Sequence, residues 1–149
     1  MHSLCWKKKE LKDSDYVMQA VNAFPVRGLN QKSRLTCADN SGAKEVAIIS
    51  VLKYKNRKRQ SPRAGIADIL NVVVKKGKPE IRKKVERAII IRVKKEYRRS
   101  DGTRIKFEDN AVVLVDEKGV PKASEIKGVI AKEAAERWPK IAGIASQIV

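Results

Sequence analysis

The chain has 149 residues, a length that suits one ordinary domain able to bury a core without disulfides. Its 34 Lys/Arg against 17 Asp/Glu give a formal net charge of +17, an excess that points to an anionic partner. Cys5 and Cys37 make no disulfide framework, no apolar run approaches the ~20 residues of a membrane span, and Met1–Trp6 lacks the apolar stretch of a signal peptide. A reducing, cytoplasmic setting is the expectation.

Residues 1–17 show no hydrophobic periodicity and read as a flexible N-terminal extension or an over-called start. From Arg34 the pattern is β. Leu35–Ala38 and Val46–Leu52 are predicted strands, separated by a turn at Asp39, Asn40, Ser41 and Gly42. Lys53–Arg63 is a basic loop, Ile66–Lys75 a third strand, and Gly77-Lys78-Pro79 breaks it. Ile81–Glu86 leads into a strand over Arg87–Lys95. A turn at Ser100, Asp101 and Gly102 then reverses the chain, because glycine tolerates a positive φ. Arg104–Phe107 alternates charged and apolar residues, and Asn110–Asp116 is a further strand. The segment 88–114 thus reads as a β-hairpin, apolar at its base and cationic at its outer end. Short strands with Gly, Pro and Asn breaks favour a small closed barrel over parallel βαβ units. The tail changes character: Ile130–Arg137 is rich in helix formers, and Pro139 suits the first turn of a second helix over Lys140–Gln147.

The charge is concentrated. Residues 53–106 hold 20 Lys/Arg against 5 Asp/Glu, an excess of 15, while residues 1–52 carry +3 and residues 107–149 carry −1. Such a one-sided block repels itself unless a polyanion lies against it, and a nucleic-acid backbone is the simplest partner. An anionic membrane fits less well, since the cations interleave with strand patterns rather than a long amphipathic helix. Candidate RNA ligands fall in three groups. The loop contributes Lys53, Lys55, Arg57, Lys58, Arg59 and Arg63. The third strand and the turn after it contribute Lys75, Lys76, Lys78, Arg82, Lys83 and Lys84. The hairpin contributes Arg92, Lys94, Lys95, Arg98, Arg99, Arg104 and Lys106. Aromatics are few, and Phe107 alternates with Ile105 as a core residue does. The chain therefore suits phosphates and the shape of folded RNA rather than loose bases.

Catalysis is not indicated. The only histidine is His2, so Ser41 beside Asp39 has no base, and the segment reads as a turn. His2 and Cys5 do not reach the four clustered ligands of a zinc site. Around Gly77-Lys78 the P-loop spacing is absent. No cofactor is expected. A nuclease would need clustered carboxylates or a histidine pair, and Asp68, Glu80, Glu86, Glu96 and Asp101 are scattered.

Three ordered stretches resemble one family. They are Ala38-Asp39-Asn40-Ser41-Gly42-Ala43, then Ala88 with Ile89–Ile91, Asp101-Gly102, Phe107, Asn110 and Val113-Leu114, and finally the tail from Gly128 to Ala142. Together they resemble the universal large-subunit ribosomal protein L-fourteen family, over about residues 18–149 as a single domain. The tail is closer to its archaeal and eukaryotic cytosolic branch. The resemblance implies a mainly β fold: a closed five-stranded barrel, a projecting ribbon and two short C-terminal helices, the helical tail starting near residue 124. It implies binding to large-subunit rRNA and to neighbouring ribosomal proteins. It also implies a bridge to small-subunit rRNA, and a C-terminal face that docks an anti-association factor. Ser124, Lys127, Arg137, Trp138, Lys140 and Val149 are the candidates for that protein interface; the tail's nearly balanced charge suits protein better than RNA. Two positions depart from the family pattern and bear on local loop geometry: Val129 where many members have proline, and Ala67 where many have a second glycine. The rival reading is a free-standing RNA-binding chaperone or regulator, which would bind many RNAs rather than reside in one particle.

Overall fold

A computed structural model describes residue 21 and residues 23–53 and 60–149. The described strands are β1 (Ala23–Phe24), β2 (Leu29–Asn30), β3 (Arg34–Cys37), β4 (Ala43–Val51), β5 (Arg63–Ala64), β6 (Ile69–Gly77), β7 (Val85–Arg92), β8 (Tyr97–Arg99), β9 (Arg104–Ile105), β10 (Ala111–Val115), β11 (Ile126–Ile130) and β12 (Ala145–Ile148). Two short helices, α1 (Lys132–Arg137) and α2 (Pro139–Ala142), lie between β11 and β12.

β10, β3, β4, β6 and β7 form a closed barrel, as expected. All its neighbours are antiparallel except β10 and β3, whose parallel pairing closes the cylinder. Closure removes the free edges that a sheet this small would otherwise present. Alternation decides what fills it. Leu35, Val46, Val72, Val74, Ile90, Val112 and Leu114 share the interior cluster. Ile89, Ile91, Ala111, Val113 and Val115 point outward, yet each is 0–1% exposed. The C-terminal segment covers them: Ile126, Ile130, Ala134, Trp138 and Ile141 complete this second cluster. That double burial is why 88–91 reads as an unbroken apolar run instead of an alternating one.

The tail departs from expectation. The second helix ends at Ala142, and Ala145–Ile148 is a strand lying parallel to β11, with Ile130 opposite Ile148. Parallel neighbours need a crossover, and α1 with α2 supplies it. Ile130 is accordingly the last residue of β11 and not the start of a helix.

Ala67 explains one departure from the family pattern. It has φ +63°, a left-handed conformation that glycine adopts freely, and it is fully buried. Its carbonyl accepts the Trp138 indole N–H at 2.9 Å, and its own N–H donates to Ile90 O at 3.0 Å. These contacts hold an alanine in a conformation that costs on the order of 1 kcal/mol.

Candidate nucleic-acid interface

The basic hairpin forms a small three-stranded sheet in the order β1, β8, β9, whose Tyr97 and Ile105 pack against the barrel's interior cluster. Its turn is built as expected. Asp101 Oδ1 accepts the Thr103 hydroxyl at 2.9 Å, Gly102 has φ +88°, and the Gly102 N–H reaches Arg99 O at 3.1 Å. Hydrogen bonding to Thr103 holds the Asp101 carboxyl below its ordinary range. Across the ribbon Arg98 lies directly opposite Arg104. Like charges facing each other destabilise a strand pair unless an anion or acid intervenes. Arg104 has Glu96 at 2.9 Å, whereas exposed Arg98 has no ion-pair partner among the described residues. Lys94, Lys95 and Lys106 are exposed as well.

A second cationic group forms the connection between β6 and β7, where Lys78, Arg82, Lys83 and Lys84 are all exposed. The connection leans on the Asp39–Gly42 turn, since the Lys78 N–H donates to Gly42 O at 3.0 Å. Lys75 and Arg63 are exposed as well, as is Lys53 where the described part of the loop begins. Lys76 is exposed but lies 2.8 Å from Glu45, which also takes Arg34 at 3.0 Å. Lys55, Arg57, Lys58 and Arg59 lie outside the described residues.

Two of the candidate cations turn inward. The Arg92 guanidinium grips Asp109 through both carboxylate oxygens, at 2.8 and 3.0 Å, and donates to Val129 O at 2.7 Å. Arg92 pulls the Asp109 carboxyl below its usual range. Arg99 donates to Glu133 Oε1 at 2.6 Å and to Val149 O at 2.7 Å. The Tyr97 hydroxyl donates to Glu133 Oε2 at 2.6 Å, so Tyr97 is a buried anchor and not an RNA-stacking ring. Burial pushes the Tyr97 phenol upward, reinforced by Glu133. Burial also pushes Glu133 upward, but the hydrogen bonds from Arg99 and Tyr97 outweigh it and hold the carboxyl below its ordinary value. Arg99 therefore ties the ribbon to the tail, while Arg92, at the end of β7, ties that strand to Asp109 and to β11; both guanidinium groups are engaged within the chain.

Asp39 is more than a turn residue. Its buried carboxylate accepts the Leu114 N–H at 2.8 Å and the Ser41 N–H at 3.2 Å, together with the Ser41 hydroxyl and the Cys37 thiol. Burial, with Asp39 alongside, pushes the Cys37 thiol up to about 12, so it is protonated and inert at neutral pH. Asn40 Nδ2 donates to Ser124 Oγ at 2.9 Å, and Gly42 has φ +96°.

Of the tail candidates, Lys127, Lys140, Ser124 and Val149 are exposed. Arg137 pairs with Asp68 at 3.4 Å. Trp138, at 4% exposure, belongs to the core, its N–H satisfied by Ala67. Among the described residues no three His, Cys, Asp or Glu converge on a metal-sized site, and no helix is long and apolar enough to cross a membrane.

The model of the family described as ribosomal protein L14p/L23e matches residues 28–149. The chain belongs to this family. It is 54% identical over 131 residues to the large ribosomal subunit protein uL14 of Methanococcus vannielii, a match covering 88% of this chain and 99% of that one. The corresponding protein of Methanoregula boonei is 52% identical over 132 residues, covering 89% of this chain and all of its own length. That of Halobacterium salinarum is 49% identical over 132 residues, with the same coverage. These relatives are archaeal, in keeping with the branch the tail resembles. The family is one of structural proteins of the large ribosomal subunit, a cytoplasmic particle, and not of enzymes.

Proposed function

We propose that the chain binds large-subunit rRNA through the exposed cations of the ribbon and of the connection between β6 and β7. Arg98, Lys94, Lys95, Lys106, Lys78 and Arg82 make the phosphate contacts, while Arg92 and Arg99 hold the ribbon in place. Arg98 carries this reading: it faces Arg104 across the ribbon and, unlike Arg104 with Glu96, has no acid of its own among the described residues, so an anion would relieve it. The loop 53–63 reaches small-subunit rRNA in an intersubunit bridge. The exposed tail, with Lys127, Lys140, Ser124 and Val149, docks an anti-association factor. The single domain that does this work spans about residues 18–149, and residues 1–17 are not needed for it.

Titrating the protein with a large-subunit rRNA fragment at increasing salt tests the RNA assignment. With about five phosphates neutralised, the log–log slope is expected near −3 to −4, and Arg98→Ala with Lys106→Ala should flatten it by roughly 1.5. A slope near zero, or one that the double variant leaves unchanged, refutes it. For the bridge, replacing Arg57, Lys58 and Arg59 with Ala should weaken subunit joining while leaving incorporation intact. Normal joining would remove that role.

A further inference from the structure

One backbone device recurs at three places in the barrel. A residue's N–H donates to the carbonyl of a residue on the facing strand, and that residue's N–H returns to the next carbonyl along. Lys32 and Ser33 face Ile48 in this way at 2.9 and 3.1 Å, Ala67 and Asp68 face Ile90 at 3.0 and 3.2 Å, and Lys83 and Lys84 face Val74 at 2.9 and 3.1 Å. This is the bulge whose first residue is left-handed, a position that suits glycine. Here φ is +66° at Lys32, +63° at Ala67 and +67° at Lys83. Ala67 is fully buried, so its methyl group has packing to gain. Lys32 shares a cleft with Arg34, whose charge Glu45 answers. Lys83 has neither compensation. It is exposed, it has no ion-pair partner among the described residues, and Arg82 and Lys84 flank it with like charge. A lysine thus stands, within the free chain, where glycine would be less strained.

We infer that Lys83 is a shape-specificity determinant: its bulge directs one ammonium at a phosphate whose place is set by the fold of the RNA, and the free protein is less stable for it. This rests on the rRNA assignment above and adds a residue that assignment does not use. The connection carrying Lys83 is an ordered platform. The Ile81 and Arg82 N–H groups donate to Lys78 O at 3.2 and 3.1 Å, and the Lys84 N–H to Ile81 O at 3.2 Å. Ile81 itself packs against the interior cluster. A lysine on a slack loop follows phosphates wherever they lie and serves any polyanion alike. The four-carbon stem of Lys83 still turns, but from an origin and a direction that the bulge fixes. It therefore contributes fully only where folded RNA holds a phosphate within its reach, and little ordering of the backbone opposes the contact.

The experiment compares the full chain with Lys83→Gly and Lys83→Arg. Calorimetry should place the melting temperature of Lys83→Gly roughly 1–3 °C above the parent, because glycine relieves the left-handed position while loosening the unfolded chain. Lys83→Arg should melt with the parent. Binding is then measured to two probes, the large-subunit rRNA fragment that the parent protects from nuclease and unstructured poly(U). Lys83→Gly should bind the fragment about fivefold more weakly, with the salt slope flattened by roughly 0.7, and poly(U) less than about twofold more weakly. Lys83→Arg should bind the fragment within about twofold of the parent, since the charge and its origin are kept. A glycine variant no more stable than the parent overturns the inference, as does an equal loss on both RNAs or a loss on neither. Those results leave the rRNA assignment standing, whereas a salt slope near zero in the parent overturns that assignment and this inference with it.

Discussion

The buried triad of Tyr97, Arg99 and Glu133 gives the most demanding test of how ribbon and tail are joined. Glu133 sits on α1 with its side chain 4% exposed, and Arg99 on β8 is 17% exposed. Replacing the acid with glutamine keeps the volume and one acceptor oxygen but leaves a nearly buried guanidinium without a counter-charge. Removing one partner of such a pair costs about 3 kcal/mol or more, because the remaining charge stays desolvated. In a chain of this size that corresponds to a melting temperature lower by roughly 6–12 °C. Thermal and urea melts followed by circular dichroism measure it. The variant Arg99→Gln with Glu133→Gln should be more stable than Glu133→Gln alone, since no uncompensated charge remains. Glu133→Gln within about 0.5 kcal/mol of the parent, or a double variant whose loss is the sum of the two singles, would refute the reasoning.

The same triad sets a pH dependence whose sign is fixed. The Glu133 carboxyl is held below its ordinary value of 4.5 in the folded chain. Its contribution is thus fully present above that value and is lost as pH falls through the folded one. Glu133→Gln lacks this component, so the gap in stability between parent and variant should narrow on acidification below about pH 4.5. A gap constant from pH 7 to pH 3 would show that the carboxylate is not paired in the way described.

Two further outcomes follow from the geometry. Gly42→Ala should lower stability by about 1–2 kcal/mol in urea melts, because φ is +96° and the added Cβ would meet the Lys78 side chain at 2.7 Å; a neutral result would mean that the turn relaxes freely. Lys127→Glu with Lys140→Glu, both on the exposed tail, should weaken binding of an anti-association factor to large subunits and leave the salt slope for rRNA unchanged; the reverse pattern would make the tail an RNA anchor.

Much of the barrel was legible because its causes are local. Alternation at Leu35–Cys37 and Ile105–Phe107, and breaks at Asn40-Ser41-Gly42, Gly77-Lys78-Pro79 and Asp101-Gly102, are properties of neighbouring residues. The end of the tail was not legible, for a non-local reason. Pro139 does start a helix, but Ala145–Ile148 becomes a strand because β11 offers it a parallel partner some twenty residues back. No local signal in the sequence around Gly143 announces that pairing. The run Ala88–Ile91 was legible as a strand, though its two-sided burial depends on which segment covers the outer face.

The cationic site divides along the same line. Composition counts every arginine in 53–106 alike, yet Arg92 and Arg99 are distinguished by acids 17 and 34 residues further on, Asp109 and Glu133. One sequence signal could have raised the question: Glu133 is an acid beside Ala131, Ala134 and Ala135, small residues that bring α1 close against the barrel, and a carboxylate that near a core needs a partner. The consequence reaches function. A ribbon that grips RNA phosphates must not swing freely, or each contact would have to offset the entropy of ordering it. With Arg99 held by Glu133 and the Val149 carbonyl, and Arg92 by Asp109 and the Val129 carbonyl, β8 is anchored to the chain's own tail, and Arg98 beside it stays exposed on an ordered strand.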